Sequence, residues 1–183
     1  MTAVTQLLDD IQERLTLLRR PVVADLERPG LPEDELRRML GDVPDEVRDW
    51  FSWCNGTRRR AGQTVGDAAF IPGYIFPSAS EARGVRRPGH RDLDAMGEWL
   101  PILLSASSDL YAAVWKGSAF VGVAGVLQGA ETEIEFLTVE EMLRVQLAAF
   151  GSGAYFLDEG ELEVDDDLLD DAYRQVTGRE PLD

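Results

Sequence analysis

The chain has 183 residues, and its 34 acidic and 18 basic side chains give it a net charge of −16. This length fits one domain that buries enough surface to fold without a disulfide or a metal, and a single cysteine excludes an intrachain disulfide. No apolar run reaches the roughly 18 residues of a spanning helix, and the first 20 residues lack a signal-peptide core. We therefore expect a single cytoplasmic domain.

The negative charge is concentrated in the C-terminal third. Residues 131–183 hold 16 of the 34 acids and only 3 of the 18 bases, and residues 158–171 hold nine acids and no base. Such a field repels nucleic acid and anionic membranes, and it attracts basic proteins. Acidic surfaces also keep proteins soluble, and composition alone does not separate these two interpretations.

Three helices are predicted in the first 56 residues. The first ends before Pro21 and carries an apolar stripe at spacings of three and four, formed by Leu7, Leu8, Ile11, Leu15 and Leu18. The other two cover residues 33–40 and 45–54, each just after a proline. We expect Trp50, Phe51 and Trp53 on the buried side of the third helix, and Asn55-Gly56 to end it in a left-handed turn.

Few helices or strands are predicted in residues 57–99. Residues 57–63 form a basic loop, and residues 68–76 contain a short edge strand interrupted by Pro72-Gly73. Ser78 and Glu81 form a capping box that opens a short helix, and residues 84–92 are predicted to be an exposed loop.

The middle of the chain predicts an antiparallel β-meander. Apolar runs at 100–104, 110–115, 120–127 and 131–136 are separated by short polar or glycine-containing turns. In the last run acids alternate with apolar residues, which places one face in water, and the acids are Glu131, Glu133 and Glu135. The glycines at 122, 125 and 129 are predicted to ease strand packing rather than to bind phosphate.

Helices are predicted again at the end of the chain. Thr138 opens one that runs to about Phe150, and the apolar spacing of Leu168, Leu169, Tyr173 and Val176 predicts a last amphipathic helix in the acidic tail. Helices, a meander and further helices indicate the α+β class.

The usual catalytic residues are scarce. His90 is the only histidine and has no matching nucleophile beside it, and Cys54 lies in an aromatic segment typical of a buried thiol. We therefore predict no catalytic residue, no metal site and no cofactor. A small hydrolase that uses His90 or clustered acids remains an alternative of another class.

The acid-rich third is then the candidate binding surface for a protein partner. We predict that it attracts a basic protein and neither nucleic acid nor a membrane. The candidate partner-binding residues are Glu131, Glu133, Glu135, Glu159, Glu161, Glu163, Asp165, Asp166 and Asp167.

The stretch from Leu31-Pro32 to Trp53-Cys54-Asn55-Gly56 resembles the N-terminal signature of the SUKH superfamily of Smi/Knr-like domains. In that signature, Leu-Pro and a short helix precede a second helix that ends in an aromatic residue, one spacer and Asn-Gly. Segments 72–81, 99–102 and 135–143 resemble the next elements of the family in the same order. The resemblance covers residues 30–150 and implies a core at 30–153, an N-terminal helical extension at 1–29 and an acidic C-terminal segment at 154–183.

The resemblance also implies a function. Trp50, Trp53, Asn55 and Gly56 match positions that shape the core and a turn and do not catalyse. Many bacterial members are cytoplasmic immunity proteins that bind and neutralise a polymorphic toxin, and other members, chiefly eukaryotic, are regulatory adaptors. The acidic surface favours an immunity protein with a basic toxin as partner, and a regulatory or adaptor module that binds a non-toxin protein is the alternative.

Overall fold

The computed structural model describes residues 1–86 and 90–182. The helices in these residues are α1 (Ala3–Leu17), α2 (Glu33–Leu40), α3 (Asp45–Trp53), α4 (Val65–Ala68), α5 (Ala79–Val85), α6 (Arg91–Met96), α7 (Val139–Ser152) and α8 (Asp166–Thr177). The strands are β1 (Tyr74–Ile75), β2 (Glu98–Ser105), β3 (Leu110–Lys116), β4 (Ala119–Val126), β5 (Glu133–Phe136), β6 (Tyr155–Asp158) and β7 (Glu161–Val164).

The first five strands form one antiparallel sheet in the order β1-β2-β3-β4-β5. The predicted meander is confirmed, and residues 100–136 contain no helix. Gly117 and Ser118 connect β3 to β4, and Gly117 has a φ of +59°, as the first central position of a type II′ hairpin turn requires. The α+β class predicted from the sequence is thereby confirmed.

The main core lies between one face of this sheet and helices α1, α3 and α7. Leu8, Ile11 and Leu15 of α1 are fully buried in it, so the predicted N-terminal extension packs into the same core as residues 30–153. Trp50 and Phe51 are fully buried and Trp53 is 4% exposed, which confirms the predicted buried side of α3.

The opposite face of the sheet is covered by a smaller cluster around Trp99, Leu110 and Val114, with Leu93 of α6 on top. Helix α6 was not predicted, because we expected an exposed loop over residues 84–92. Residues 84 and 85 end α5 and residues 91 and 92 begin α6, while Arg87, Pro88 and Gly89 lie outside the described residues.

The end of α3 differs from the predicted left-handed turn. Cys54 leaves the helix in an extended conformation, and the side chain of Asn55 accepts a hydrogen bond of 3.0 Å from the backbone N–H of Ala79 in α5. Gly56 has a φ of +101° and lies so close to Ser78 that a Cβ would fall 2.6 Å from the Ser78 nitrogen. These two residues therefore join α3 to α5 and do not form a compact helix cap.

The acidic tail is folded. The predicted last helix is confirmed as α8, which packs along α7. A hairpin, β6–β7, precedes it and was not predicted. Its two-residue turn is Glu159-Gly160, and both residues have positive φ angles, as a type I′ turn requires.

Within the described residues, none of the helices combines the length and the apolar character that crossing a membrane requires.

Candidate functional site

The site begins with an irregularity in strand β5. Val123 of β4 pairs with Phe136, whereas the next residue, Ala124, pairs with Ile134. Glu135 is therefore an extra residue without a partner on β4, which is the definition of a β-bulge. Because the bulge shifts the alternation, Phe136 joins the main core while Ile134 packs on the opposite face of the sheet.

A cavity of about 280 Å³ lies beside this bulge, between the sheet and helices α7 and α8. We call it the tyrosine cavity, because Tyr111 of β3, Tyr155 of β6 and Tyr173 of α8 line it together with Glu135 and Gln146. Its mouth carries acidic and apolar residues from the β4–β5 turn, the start of β5, α8 and the C-terminal end of the chain, including Leu127, Glu131, Glu133, Asp166, Asp170 and Leu182.

Glu135 is part-buried in the tyrosine cavity. The hydroxyl of Tyr111 donates a long hydrogen bond of 3.4 Å to its carboxylate. The Glu135 carboxylate also lies against Gly125, and a Cβ on Gly125 would fall 2.6 Å from the Glu135 oxygen Oε2. The prediction that Glu135 faces solvent beside Glu131 and Glu133 is therefore wrong, because the bulge directs this side chain into the cavity.

Burial raises the pKa of Glu135 from its ordinary value of 4.5 to about 7, although the hydrogen bond from Tyr111 and the positive charge of Arg179 oppose the shift. Burial likewise raises the pKa of Tyr111 and of Tyr155 well above the ordinary value of 10. At neutral pH the cavity therefore presents neutral phenols and one carboxyl group that is about half protonated.

The walls of the cavity are held by hydrogen bonds. The hydroxyl of Tyr173 donates to the backbone carbonyl oxygen of Glu135 at 2.9 Å, and the hydroxyl of Tyr155 donates to the side-chain oxygen of Gln146. These bonds join α8 to β5 and β6 to α7, so the site is built from rigid elements.

The nine acids predicted to bind a partner lie on two connected parts of the surface. Glu131, Glu133 and Asp166 are exposed at the mouth of the tyrosine cavity, which holds Glu135. The others lie on the β6–β7 hairpin and the start of α8, and the structure leaves all of them exposed: Glu159, Glu161, Glu163, Asp165 and Asp167.

None of these nine carboxylates forms a salt bridge with another residue in the described parts of the chain. The three arginines of the C-terminal third pair with other acids. Arg144 pairs with Glu140, Arg179 pairs with Glu141, and Arg174 pairs with a set that comprises Asp170, Asp171 and Glu180. The nine carboxylates are thus left without a salt-bridge partner of their own among the described residues.

The hairpin is held in place by Arg20, a buried side chain that follows α1. Its guanidinium group donates to the backbone oxygen of Gly160 at the hairpin turn and, at 2.8 Å, to that of Gly66 in α4. The acids of the hairpin are therefore presented on an anchored element.

Asp165 also stabilises the start of α8, which was not predicted from the sequence. Its side chain accepts a hydrogen bond of 3.1 Å from the backbone N–H of Leu168 and so caps α8. Replacing the acids at 165–167 with lysine would remove this cap and place positive charge at the positive end of the helix.

Neither His90 nor Cys54 lines the tyrosine cavity. His90 precedes α6 and packs edge-on against Trp99, with 5.2 Å between the ring centroids. Cys54 is fully buried, its thiol donates to the backbone oxygen of Gly56, and burial raises its pKa to about 11. In residues 1–86 and 90–182, no three acidic, histidine or cysteine side chains converge as metal ligands.

The residues that match the SUKH signature lie inside the fold. Trp50 stacks on Phe76 with 4.5 Å between the ring centroids, and Trp53 donates from its indole nitrogen to Asp9 at 2.8 Å. Together with Asn55 and Gly56, which contact the start of α5, these residues hold α1, α3 and α5 together.

The acids at the mouth of the tyrosine cavity were predicted from the sequence, whereas the residues of its walls were not. Tyr111 was assigned to a strand, Tyr173 to a helix, and Gln146 and Tyr155 to no site. No local motif marks them, because they come from four separate elements. Three tyrosines of a chain that has only four nonetheless meet in this cavity.

A scan against protein-family models finds no match for this chain. A search of the curated proteins finds no relative either.

Proposed function

We propose that this protein acts by binding a basic protein partner through the acidic surface of its C-terminal third. The observation that carries the proposal is the set of nine acids without a salt bridge among the described residues, on a surface whose three arginines form their salt bridges with other acids. A protein that used these acids only for solubility would have no need to place them around a cavity and on an anchored hairpin.

Electrostatic attraction of this kind favours fast encounter with a basic surface. The exposed acids provide the long-range field, and the apolar side chains among them provide contact area. Leu127 and Leu182 are about half exposed at the mouth of the tyrosine cavity, and Phe156 is 42% exposed on the hairpin. Exposed apolar residues surrounded by charge are typical of surfaces that bind proteins.

The proposed partner is a toxin, and the protein is its immunity protein. The resemblance of residues 30–150 to SUKH domains supports this step, because many bacterial members neutralise polymorphic toxins. Toxins that act on nucleic acid carry positive charge to bind it, and an acidic inhibitor complements such a surface. The immunity role is thus proposed by analogy with SUKH domains and from the acidic surface.

Affinity capture from the native host, followed by mass spectrometry, identifies the partner. We expect a basic protein whose gene lies immediately upstream, which elutes at high salt and is lost when Glu131, Glu133 and Glu163 are changed to lysine. Expressed alone, the captured protein should arrest growth, and co-expression of this chain should restore it. A captured protein that does not harm the cell contradicts the immunity role and favours an adaptor.

A further inference from the structure

We infer that the tyrosine cavity is the subsite that receives one arginine side chain of the protein partner, with its guanidinium group against Glu135 and the tyrosine rings. This inference rests on the proposed function, because it names the group of the partner that the acidic surface positions. An arginine in the cavity would add one specific buried contact to the electrostatic attraction between the acidic surface and the basic surface of the partner.

The first support is the charge inside the cavity. The Glu135 carboxylate forms no salt bridge with the residues that the structure describes, and it accepts a long hydrogen bond of 3.4 Å from Tyr111. Arg179 lies nearby, over the ring of Tyr173, but its salt bridge is with Glu141. Burial of the Glu135 carboxylate without a salt bridge of its own is costly. A cation that enters from outside removes this cost.

The second support is the shape and size of the cavity. Its volume of about 280 Å³ lies just below the roughly 300–1,000 Å³ of sites for drug-sized ligands and cofactors, so it suits a single side chain. The rings of Tyr111 and Tyr173 line it, and their centroids lie 6.1 Å and 5.7 Å from the centroid of the Phe136 ring. Aromatic faces favour a planar guanidinium group, which also fits a carboxylate with two parallel hydrogen bonds.

The third support is the arrangement of the mouth. Glu131, Glu133 and Asp166 surround the entrance, where they attract a cation before it enters. The acids around the cavity do not converge as metal ligands in the described residues, so an extended organic cation fits them better than a metal ion. Gly125 keeps the space beside the Glu135 carboxylate open, since a Cβ there would collide with it.

Acetyl-arginine amide is a direct probe, and acetyl-citrulline amide is its neutral counterpart of nearly the same shape. Each is titrated into the full-length protein while the tyrosine ring resonances are followed by NMR. We expect the arginine compound to shift the resonances of Tyr111 and Tyr173 with a Kd on the order of 1 mM. The citrulline compound should bind at least about tenfold more weakly, because it lacks the charged hydrogen bonds.

Two variants complete the test. Glu135→Gln keeps an oxygen that can accept from Tyr111 but removes the charge, and it should weaken binding of the arginine compound by about tenfold or more. Glu13→Gln on α1 removes one charge from an exposed position outside the acidic surface and should leave binding within about twofold. Unchanged spectra away from the cavity show that both variants are folded.

The inference is overturned if the two compounds bind equally, if Glu135→Gln binds like the wild type, or if the shifts fall outside the cavity. Its failure is distinguishable from failure of the proposed function. If the probe does not bind but lysine at 131, 133 and 163 still abolishes capture of the partner, the acidic surface binds the partner without this subsite.

Discussion

The hydroxyl of Tyr173 donates a hydrogen bond of 2.9 Å to the backbone carbonyl oxygen of Glu135. This bond joins the last helix of the chain to the bulged residue of the last strand of the sheet. It fixes one wall of the tyrosine cavity relative to the carboxylate inside it. The acidic tail and the β-meander are therefore coupled through two residues that are 38 positions apart.

Removing this bond should loosen α8. We expect Tyr173→Phe to lower the free energy of unfolding by about 0.5–1.5 kcal/mol, since the carbonyl oxygen of Glu135 loses its partner. Tyr74→Phe on the edge strand β1 is the control, with an expected change below about 0.5 kcal/mol. Urea denaturation measures both. Equal stability of Tyr173→Phe and the wild type would show that the bond does not hold the helix.

The carboxyl group of Glu135 should make stability depend on pH. Its pKa is raised to about 7 in the fold, so the folded protein retains a proton that the unfolded chain releases above its ordinary pKa. The contribution is fully present below about pH 4.5 and is lost as the pH rises through about 7. Relative to Glu135→Gln, the wild type should lose up to about 3 kcal/mol between about pH 5 and pH 8.

The measurement is the free energy of unfolding of both proteins at these two pH values. Because every other titrating group is common to the two proteins, the difference between them isolates Glu135. Parallel pH profiles would contradict the buried position of this side chain.

Trp53 is a core anchor that also joins α3 to α1. Trp53→Ala should cost about 3–5 kcal/mol, because the side chain is 4% exposed and its indole donates to Asp9. Trp53→Phe retains most of the packing but not this hydrogen bond, and we expect a smaller loss of about 1–2 kcal/mol. An unchanged melting temperature for Trp53→Ala would contradict the assignment of Trp53 to the core.

Two glycines should respond to alanine in opposite directions. Gly122 has a φ of +153°, and a Cβ there would lie 2.4 Å from Ile134 and 2.6 Å from the carbonyl oxygen of Phe136. Gly122→Ala should therefore cost at least about 2 kcal/mol by opening the β4–β5 pairing. Gly151 lies in α7 with open space around it, and Gly151→Ala should stabilise the protein by about 0.5–1 kcal/mol. The measurement is the melting temperature of the two variants. A change of the same sign in both would contradict the prediction that Gly122→Ala destabilises the protein and Gly151→Ala stabilises it.

The regular elements of the fold were predictable because their signals are local. The apolar stripe of α1, the prolines before α2 and α3 and the capping box of Ser78 and Glu81 each act within a few residues. The capping box is present, with the Ser78 side chain accepting from the Glu81 N–H at 3.2 Å.

The missed elements have weak local signals. The β6–β7 hairpin is rich in acids, which strands disfavour, and its turn uses Glu159 in a left-handed conformation that asparagine or glycine usually adopts. Helix α6 is six residues long, and its only buried apolar residue is Leu93.

The tyrosine cavity was not predictable, for a different reason. Strict alternation places Glu135 on the face opposite Phe136, and only the bulge at β4–β5 brings both side chains to the face that lines the cavity. A bulge depends on the pairing of two strands, so neither strand shows it alone. The acids at the mouth were found from charge, which composition reveals directly.

The structure also changes which acids should be reversed to test binding. Lysine at Glu135 would be part-buried, and lysine at Asp165 would remove the cap of α8. Glu131, Glu133 and Glu163 are exposed, cap no helix and form no salt bridge with described residues. The matched control reverses three other exposed acids from the first 130 residues, which are Glu13, Asp42 and Glu98.

The association rate of the captured partner, measured against ionic strength, tests the central claim most directly. For the wild type we expect up to about 10⁸ M⁻¹s⁻¹ at low salt and a steep decrease as the Debye length shortens to about 8 Å at physiological salt. Lysine at 131, 133 and 163 should slow association and flatten this salt dependence, whereas the control with the same net charge should do so much less. An association rate and salt slope equal to those of the wild type would contradict binding through the acidic surface.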